Sequence, residues 1–147
     1  MNTHCKKYFI LPVILSALFI LSSSCQKGKQ GPVPNVPVDI RMYSSDPNFV
    51  PLNAVGGWTY YPGGNRGIVI YRKNVNDFAA YDRTCTYLPA DASEVVSVES
   101  ANNILVTDAH CGSKFQLTDG TVNKGPATLA LKAYQTSFDG NLLHIYN

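Results

Sequence analysis

From residue 38 onward, apolar and polar positions alternate in short runs, each closed by Gly, Pro, Asn, Asp or Ser. In "VDIRMY", Val38, Ile40 and Met42 alternate with Asp39, Arg41 and Tyr43, the period of two that a half-buried strand requires. "GGWTYYPGG" predicts a strand bracketed by Gly pairs, and "GIVIYRKN" a β-branched strand running out into polar residues. "DFAAYDR", "EVVSVES" and "NILVTD" follow with the same punctuation. "QLTDGTVN" centres on Asp119-Gly120, the signal for a two-residue hairpin turn. "TLALKAYQTSFDGNLLHIYN" predicts a closing pair of strands joined near Asp139-Gly140. No stretch after Cys25 keeps helical periodicity over three turns. The expected fold is all-β, an antiparallel sandwich or small barrel.

The N-terminus breaks this pattern. Lys6 and Lys7 precede "YFILPVILSALFIL", an apolar run of 14 residues that contains Pro12. A spanning helix needs about 20 residues, so the run suits a secretion signal better than a membrane span. "LSSSC" then places small residues directly before Cys25. This resembles the lipobox of bacterial lipoproteins, in which the Cys takes lipid and becomes the mature N-terminus. The alternatives are an ordinary signal peptide or a retained anchor helix. The resemblance implies a signal peptide over residues 1–24, lipid on Cys25 and an extracytoplasmic protein anchored to the inner or outer membrane. "QKGKQGPVPNVPV" has three Pro and two Gly, so residues 25–37 read as lipidated Cys and semi-extended tether. Residues 38–147 remain for one domain.

Charge and cysteine usage sharpen the picture. The 147-residue chain has a formal net charge of +2, but cleavage before Cys25 removes Lys6 and Lys7. The mature chain is near neutral and offers no basic field for nucleic acid. Of the four Cys, Cys5 leaves with the signal and Cys25 is lipidated, so only Cys85 and Cys111 keep side-chain thiols. Outside the cytoplasm such a pair tends towards a disulfide unless a metal occupies it.

"CTYL" (Cys85–Leu88) and "DAHCGSKFQLTDGTVNKGPATLALKAY" then stand out together. They resemble the Rieske iron–sulfur domain family, with Cys-x-His in a first cluster loop and Cys-x-x-His-Gly in a second. Gly112, Ser113 and Phe115 match the second loop, Asp119-Gly120 the hairpin after it, and Gly125-Pro126-Ala127 the following turn. Leu131, Tyr134 and Gly140 match the closing strands, and "FAAYDRTCTYL" the strand that leads into the first loop. The resemblance implies a Rieske-like fold over residues 38–147 with two apposed loops.

The ligand positions depart from that family. A Rieske [2Fe–2S] cluster has one iron on two Cys thiolates and the other on two His nitrogens. Carried over, the four positions are Cys85, Tyr87, Asp108 and Cys111, so one ligand in four survives in kind. The extra inter-loop disulfide of many members falls on Ala90 and His110 and is missing. Were a cluster kept, Cys85, Cys111, Asp108 and Tyr87 would have to hold it, and Tyr87 would have to lose a proton of ordinary pKa about 10. A mononuclear Zn²⁺ site from Cys85, Cys111, His110 and Asp108 has suitable ligand types. However, His110 and Cys111 are sequence neighbours and point to opposite sides of a strand-like loop. The favoured expectation is that the loops are relics, packed together or joined by a Cys85–Cys111 disulfide. That bridge follows from the resemblance, which sets these two positions face to face, and would stabilise the fold by roughly 3–4 kcal/mol.

Other residues suggest less. His144, between Leu143 and Ile145, belongs on the outer face of the last strand. Trp58, Tyr60 and Tyr61 suit a covered sheet edge better than a stacking platform. No catalytic triad is identifiable, because nothing orients His110 towards Cys111. The expected function is a membrane-anchored, extracytoplasmic Rieske-fold lipoprotein without enzymatic activity, a binding or structural module with an unknown protein partner. No cofactor is expected. The alternative is a [2Fe–2S] electron carrier with non-standard ligands that serves a membrane or periplasmic redox partner.

Overall fold

The computed structural model describes residues 30–147. The expected signal run and Cys25 lie outside the described residues, as does the first part of the expected tether. Among the described residues ten strands form: β1 (Asp39–Tyr43), β2 (Trp58–Tyr61), β3 (Ile68–Arg72), β4 (Phe78–Asp82), β5 (Val96–Glu99), β6 (Asn102–Asp108), β7 (Lys114–Gln116), β8 (Val122–Lys124), β9 (Ala133–Phe138) and β10 (Leu142–Tyr146). Every pairing between them is antiparallel, as the alternation predicts. Six strands make a curled half-barrel sheet in the order β1-β10-β9-β4-β3-β2, and β5-β6-β7-β8 make a second sheet. Among the described residues no helix is long and apolar enough to cross a membrane.

Strands β4 and β9 pair directly, Ala80 opposite Tyr134. The whole four-stranded sheet is therefore one excursion of the chain between two neighbours of the larger sheet. This arrangement explains the continuous apolar run of β3. Ile68 and Ile70 face a first core with Met42, Phe49, Leu52, Phe78, Leu143 and Ile145. Val69 and Tyr71 face a second core with Tyr81, Cys85, Val96, Val106, Phe115 and Leu117, between the two sheets. A strand covered on both faces has no reason to alternate.

Three local features differ from the sequence reading. A short 3-10 helix, Pro47–Leu52, closes the first core with Phe49 and Leu52. Asp46 caps it by accepting from the Asn48 N–H, with Pro47 in the first turn. Asp119-Gly120 lies in a five-residue loop between β7 and β8 rather than a two-residue turn. Leu117 is fully buried, which draws the chain inward before it can turn. Gly120, at φ +75°, then lies where a Cβ would meet the Tyr81 ring at 2.7 Å. Finally, residues 30–37 of the expected tether lie along the domain. Gln30 bonds to Pro126 and Thr128, Lys132 bonds to Pro34 and Asn35, and Val33 is buried.

Candidate functional site

The backbone ladder brings three segments to one end of the second core. After β4, the Cys85 N–H donates to the Glu94 carbonyl at 3.0 Å, and the Val96 N–H donates to the Arg83 carbonyl at 2.8 Å. Val96 in turn pairs with Asp108 at the start of β5 and the end of β6. The chain then turns tightly: Gly112 N–H donates to the Asp108 carbonyl, and Gly112 takes φ +78°. Cys85, Glu94 and Asp108–Cys111 are thus neighbours through strand register, although they lie far apart in sequence.

The two sequence-predicted loops are apposed. Cys85 and Cys111 are free thiols with Sγ atoms 3.6 Å apart, Cys85 fully buried and Cys111 half-buried. Burial pushes both thiols above their ordinary pKa. The Cys111 thiol donates to Ser113 Oγ at 3.1 Å, and that hydroxyl accepts the Ala127 N–H at 2.9 Å. Gly-Pro-Ala is thereby tied to the second loop. Tyr87 is partly buried and packs against the second core.

Asp108 has no exposed surface. Its Oδ1 accepts the N–H groups of His110 at 2.7 Å and Cys111 at 3.2 Å, so one oxygen organises the loop. His110 stands outside the group of close donors that holds Cys111, although both side chains approach Glu94. Its ring is more than half exposed, and its Nδ1 meets Glu94 Oε1 at 2.8 Å. That hydrogen bond raises the His110 pKa.

Sequence reasoning missed Glu94. It sits in the polar-looking turn "DASEV", yet it is 1% exposed. Its only sequence signal is a carboxylate directly before the apolar pair Val95-Val96, which is weak. The donor atoms of Cys85, Glu94, Asp108 and Cys111 all lie within 4.8 Å of one another. Every buried polar or charged side chain among the described residues falls in these segments: Asp82, Thr84, Thr86, Glu94, Asp108 and Ser113. Burial of polar groups is costly, so its concentration at one end marks that end as the candidate site.

The close donors are two thiols and two carboxylates, without the paired His nitrogens of a Rieske [2Fe–2S] site. In the Rieske pattern the positions of Cys85 and Cys111 serve different irons, whose outer ligands lean away from each other across the iron pair. If Cys85 and Cys111 served different irons, as the resemblance implies, the pair would have to fit between sulfurs that stand 3.6 Å apart.

Other residues fall as expected or are more engaged. His144 lies on the outer face of β10, but its Nε2 meets Asp39 Oδ1 at 2.6 Å and its ring stacks on Tyr146. Trp58 and Tyr60 are half-buried against the second core. Tyr60 Oη accepts the Val98 N–H at 2.7 Å, and the Arg83 guanidinium lies 3.9 Å over its ring. These aromatics join the two sheets.

No family model matches the chain, and no curated protein matches it. Among solved structures, the chain is similar to the plasma-membrane Rieske protein PetC3 of the cyanobacterium Synechocystis PCC 6803. The two are 25% identical over 60% of this chain and 84% of that one, with a TM-score of 0.49.

Proposed function

We propose that this chain is a membrane-anchored, extracytoplasmic lipoprotein with a Rieske-type domain, whose cluster end has become a binding or structural module. The observation that carries the reading is the contact of the Cys85 and Cys111 sulfurs where the family pattern requires an iron pair between them. The motif residues support the inherited scaffold: Ser113 links Cys111 in the second loop to Ala127 in the Gly-Pro-Ala turn. The replaced ligands have found other work. Asp108 caps its own loop, and Tyr87 fills core volume. Anchoring through Cys25 rests on the lipobox-like sequence, and the partner is a protein met outside the cytoplasm.

The visible spectrum tests the loss of the cluster. Full-length protein, extracted in detergent without added reductant, is expected to be colourless and to hold no acid-labile sulfide. A brown protein with iron and sulfide in equal amounts would overturn the reading and establish an electron carrier.

A further inference from the structure

Two buried side-chain oxygens have no hydrogen-bond partner among the described residues, Glu94 Oε2 and Asp108 Oδ2. Both residues belong to the group whose donor atoms, with the Cys85 and Cys111 thiols, lie within 4.8 Å of one another. Folded chains pair such atoms as a rule, and two orphaned carboxylate oxygens beside two thiols call for a cation. We propose that Cys85, Glu94, Asp108 and Cys111 form a mononuclear, four-coordinate site for a thiophilic divalent cation, Zn²⁺ by its chemistry. The inference rests on the reading above, because a two-iron cluster would consume the same two thiols.

The geometry favours a metal over a disulfide. Two thiolates on one tetrahedral zinc, with bonds of about 2.3 Å, stand about 3.8 Å apart. The observed separation is 3.6 Å. A disulfide needs about 2.05 Å and would leave both carboxylate oxygens orphaned. Each carboxylate is also divided as a ligand should be. Asp108 Oδ1 is held by two backbone N–H groups and Glu94 Oε1 by His110, which leaves one oxygen of each for the metal. Such outer hydrogen bonds orient ligands and fix their strength. Ser113 Oγ accepts the Ala127 N–H, so its own proton is free to turn to the Cys111 sulfur once that is a thiolate.

The donor set selects the ion. Mg²⁺ and Ca²⁺ take oxygen donors, whereas Zn²⁺ takes thiolate and carboxylate together. Four protein donors, three of them buried, leave no open position, so the site is structural rather than catalytic. It clamps the end of β4, the turn before β5 and the β6–β7 loop. Binding forms two metal–sulfur and two metal–oxygen bonds and releases the two thiol protons to solvent, with no electron transfer.

Full-length protein extracted in detergent with its thiols reduced is analysed for metal and sulfide, then stripped of metal and titrated with Co²⁺. The expected result is one zinc per chain and no acid-labile sulfide. One equivalent of Co²⁺ should give tetrahedral visible bands with thiolate-to-cobalt charge transfer in the near ultraviolet. Glu94→Gln and Asp108→Asn should keep the charge transfer but weaken Co²⁺ binding beyond the roughly 10–100-fold cost of an outer partner. His110→Ala should fall within that range. Iron and sulfide in equal amounts would overturn both this site and the proposed function. Reduced protein that binds no Co²⁺, or binds it without thiolate charge transfer, would overturn the site alone; a mass lower by two hydrogens before reduction would then assign the thiols to a disulfide. Metal binding unchanged by Glu94→Gln and Asp108→Asn would overturn this donor set. Where a variant folds poorly, the wild-type titration decides.

Discussion

Asp82, at the end of β4 and three residues before Cys85, has no exposed surface and uses both of its carboxylate oxygens. Oδ1 accepts the Thr84 N–H at 2.9 Å and the Thr84 hydroxyl at 2.6 Å. Oδ2 accepts the Asn65 N–H at 2.6 Å and the Tyr134 phenol at 2.8 Å. One side chain thus joins the β2–β3 turn, the first loop and β9. Burial raises the Tyr134 pKa, with the Asp82 carboxylate adding to the effect, so the phenol stays a donor at all ordinary pH. Gly64, at φ +61°, leaves the space that this pair occupies, since a Cβ there would collide with both. Tyr134→Phe should destabilise the domain by about 1–3 kcal/mol, the cost of a buried acceptor that loses its donor. Equilibrium urea unfolding reads the change, and an unshifted midpoint would show that Asp82 finds another donor. Tyr134 was legible in the sequence as a closing-strand match, but its partner was not. Asp82 ends an ordinary strand pattern, and only the pairing of β9 with β4 brings the Tyr134 phenol to it.

Aspartates also shape the turns between elements. Asp91, Asp119 and Asp139 each accept an N–H from two residues along the chain, at Ser93, Thr121 and Asn141. These backbone bonds, with the hydroxyls of Ser93 and Thr121, hold the three carboxyls below the ordinary aspartate range. A lowered folded-state pKa stabilises the fold above the unfolded value of about 3.9, and the contribution fades as pH falls through the folded value. Asp139 accepts from both Asn141 and Leu142 and sets the β9–β10 turn. Asp139→Ala should therefore lower the melting temperature at neutral pH. Its gap to wild type should close as pH falls from about 4 towards 2. A gap that stays constant over that interval would show that ionisation of Asp139 plays no part. Asp-Gly at 119–120 and 139–140 announced both turns, yet the loop at 119–120 is longer than its dipeptide suggests. The burial of Leu117, which fixes that loop, depends on a core made from other strands.

At the scale of the molecule, the four-stranded sheet between β4 and β9 carries the second and third segments of the site, and the larger sheet carries the first. The N-terminal arm reaches the same end: Gln30 bonds to Thr128, just past the Ala127 N–H that holds Ser113. A lipid on Cys25 would leave only residues 26–29 between the anchor and this docked arm. Cys25→Ser should move the protein to the soluble fraction or leave an uncleaved precursor, as fractionation and intact mass would report. Normal processing with full membrane retention would remove the lipoprotein reading.

The sequence by itself determined the all-β class and most strand positions, because period-two alternation and Gly, Asp and Pro punctuation are local properties of the chain. It also paired the two Cys-bearing loops, through spacing that resembles a known family. The tertiary structure decided what those loops hold. Glu94 reads only as the polar first residue of the strand run "EVVSVES" until the Cys85 N–H bonds to its carbonyl and β5 places it beside Asp108. His110 reads as a candidate metal ligand beside Cys111, but in the turn its ring bonds to the buried Glu94 carboxylate instead. Burial and the direction of a side chain belong to the assembled sheets, since each depends on strands that are distant in sequence. A carboxylate buried by three such segments leaves no mark on its own neighbours in the chain.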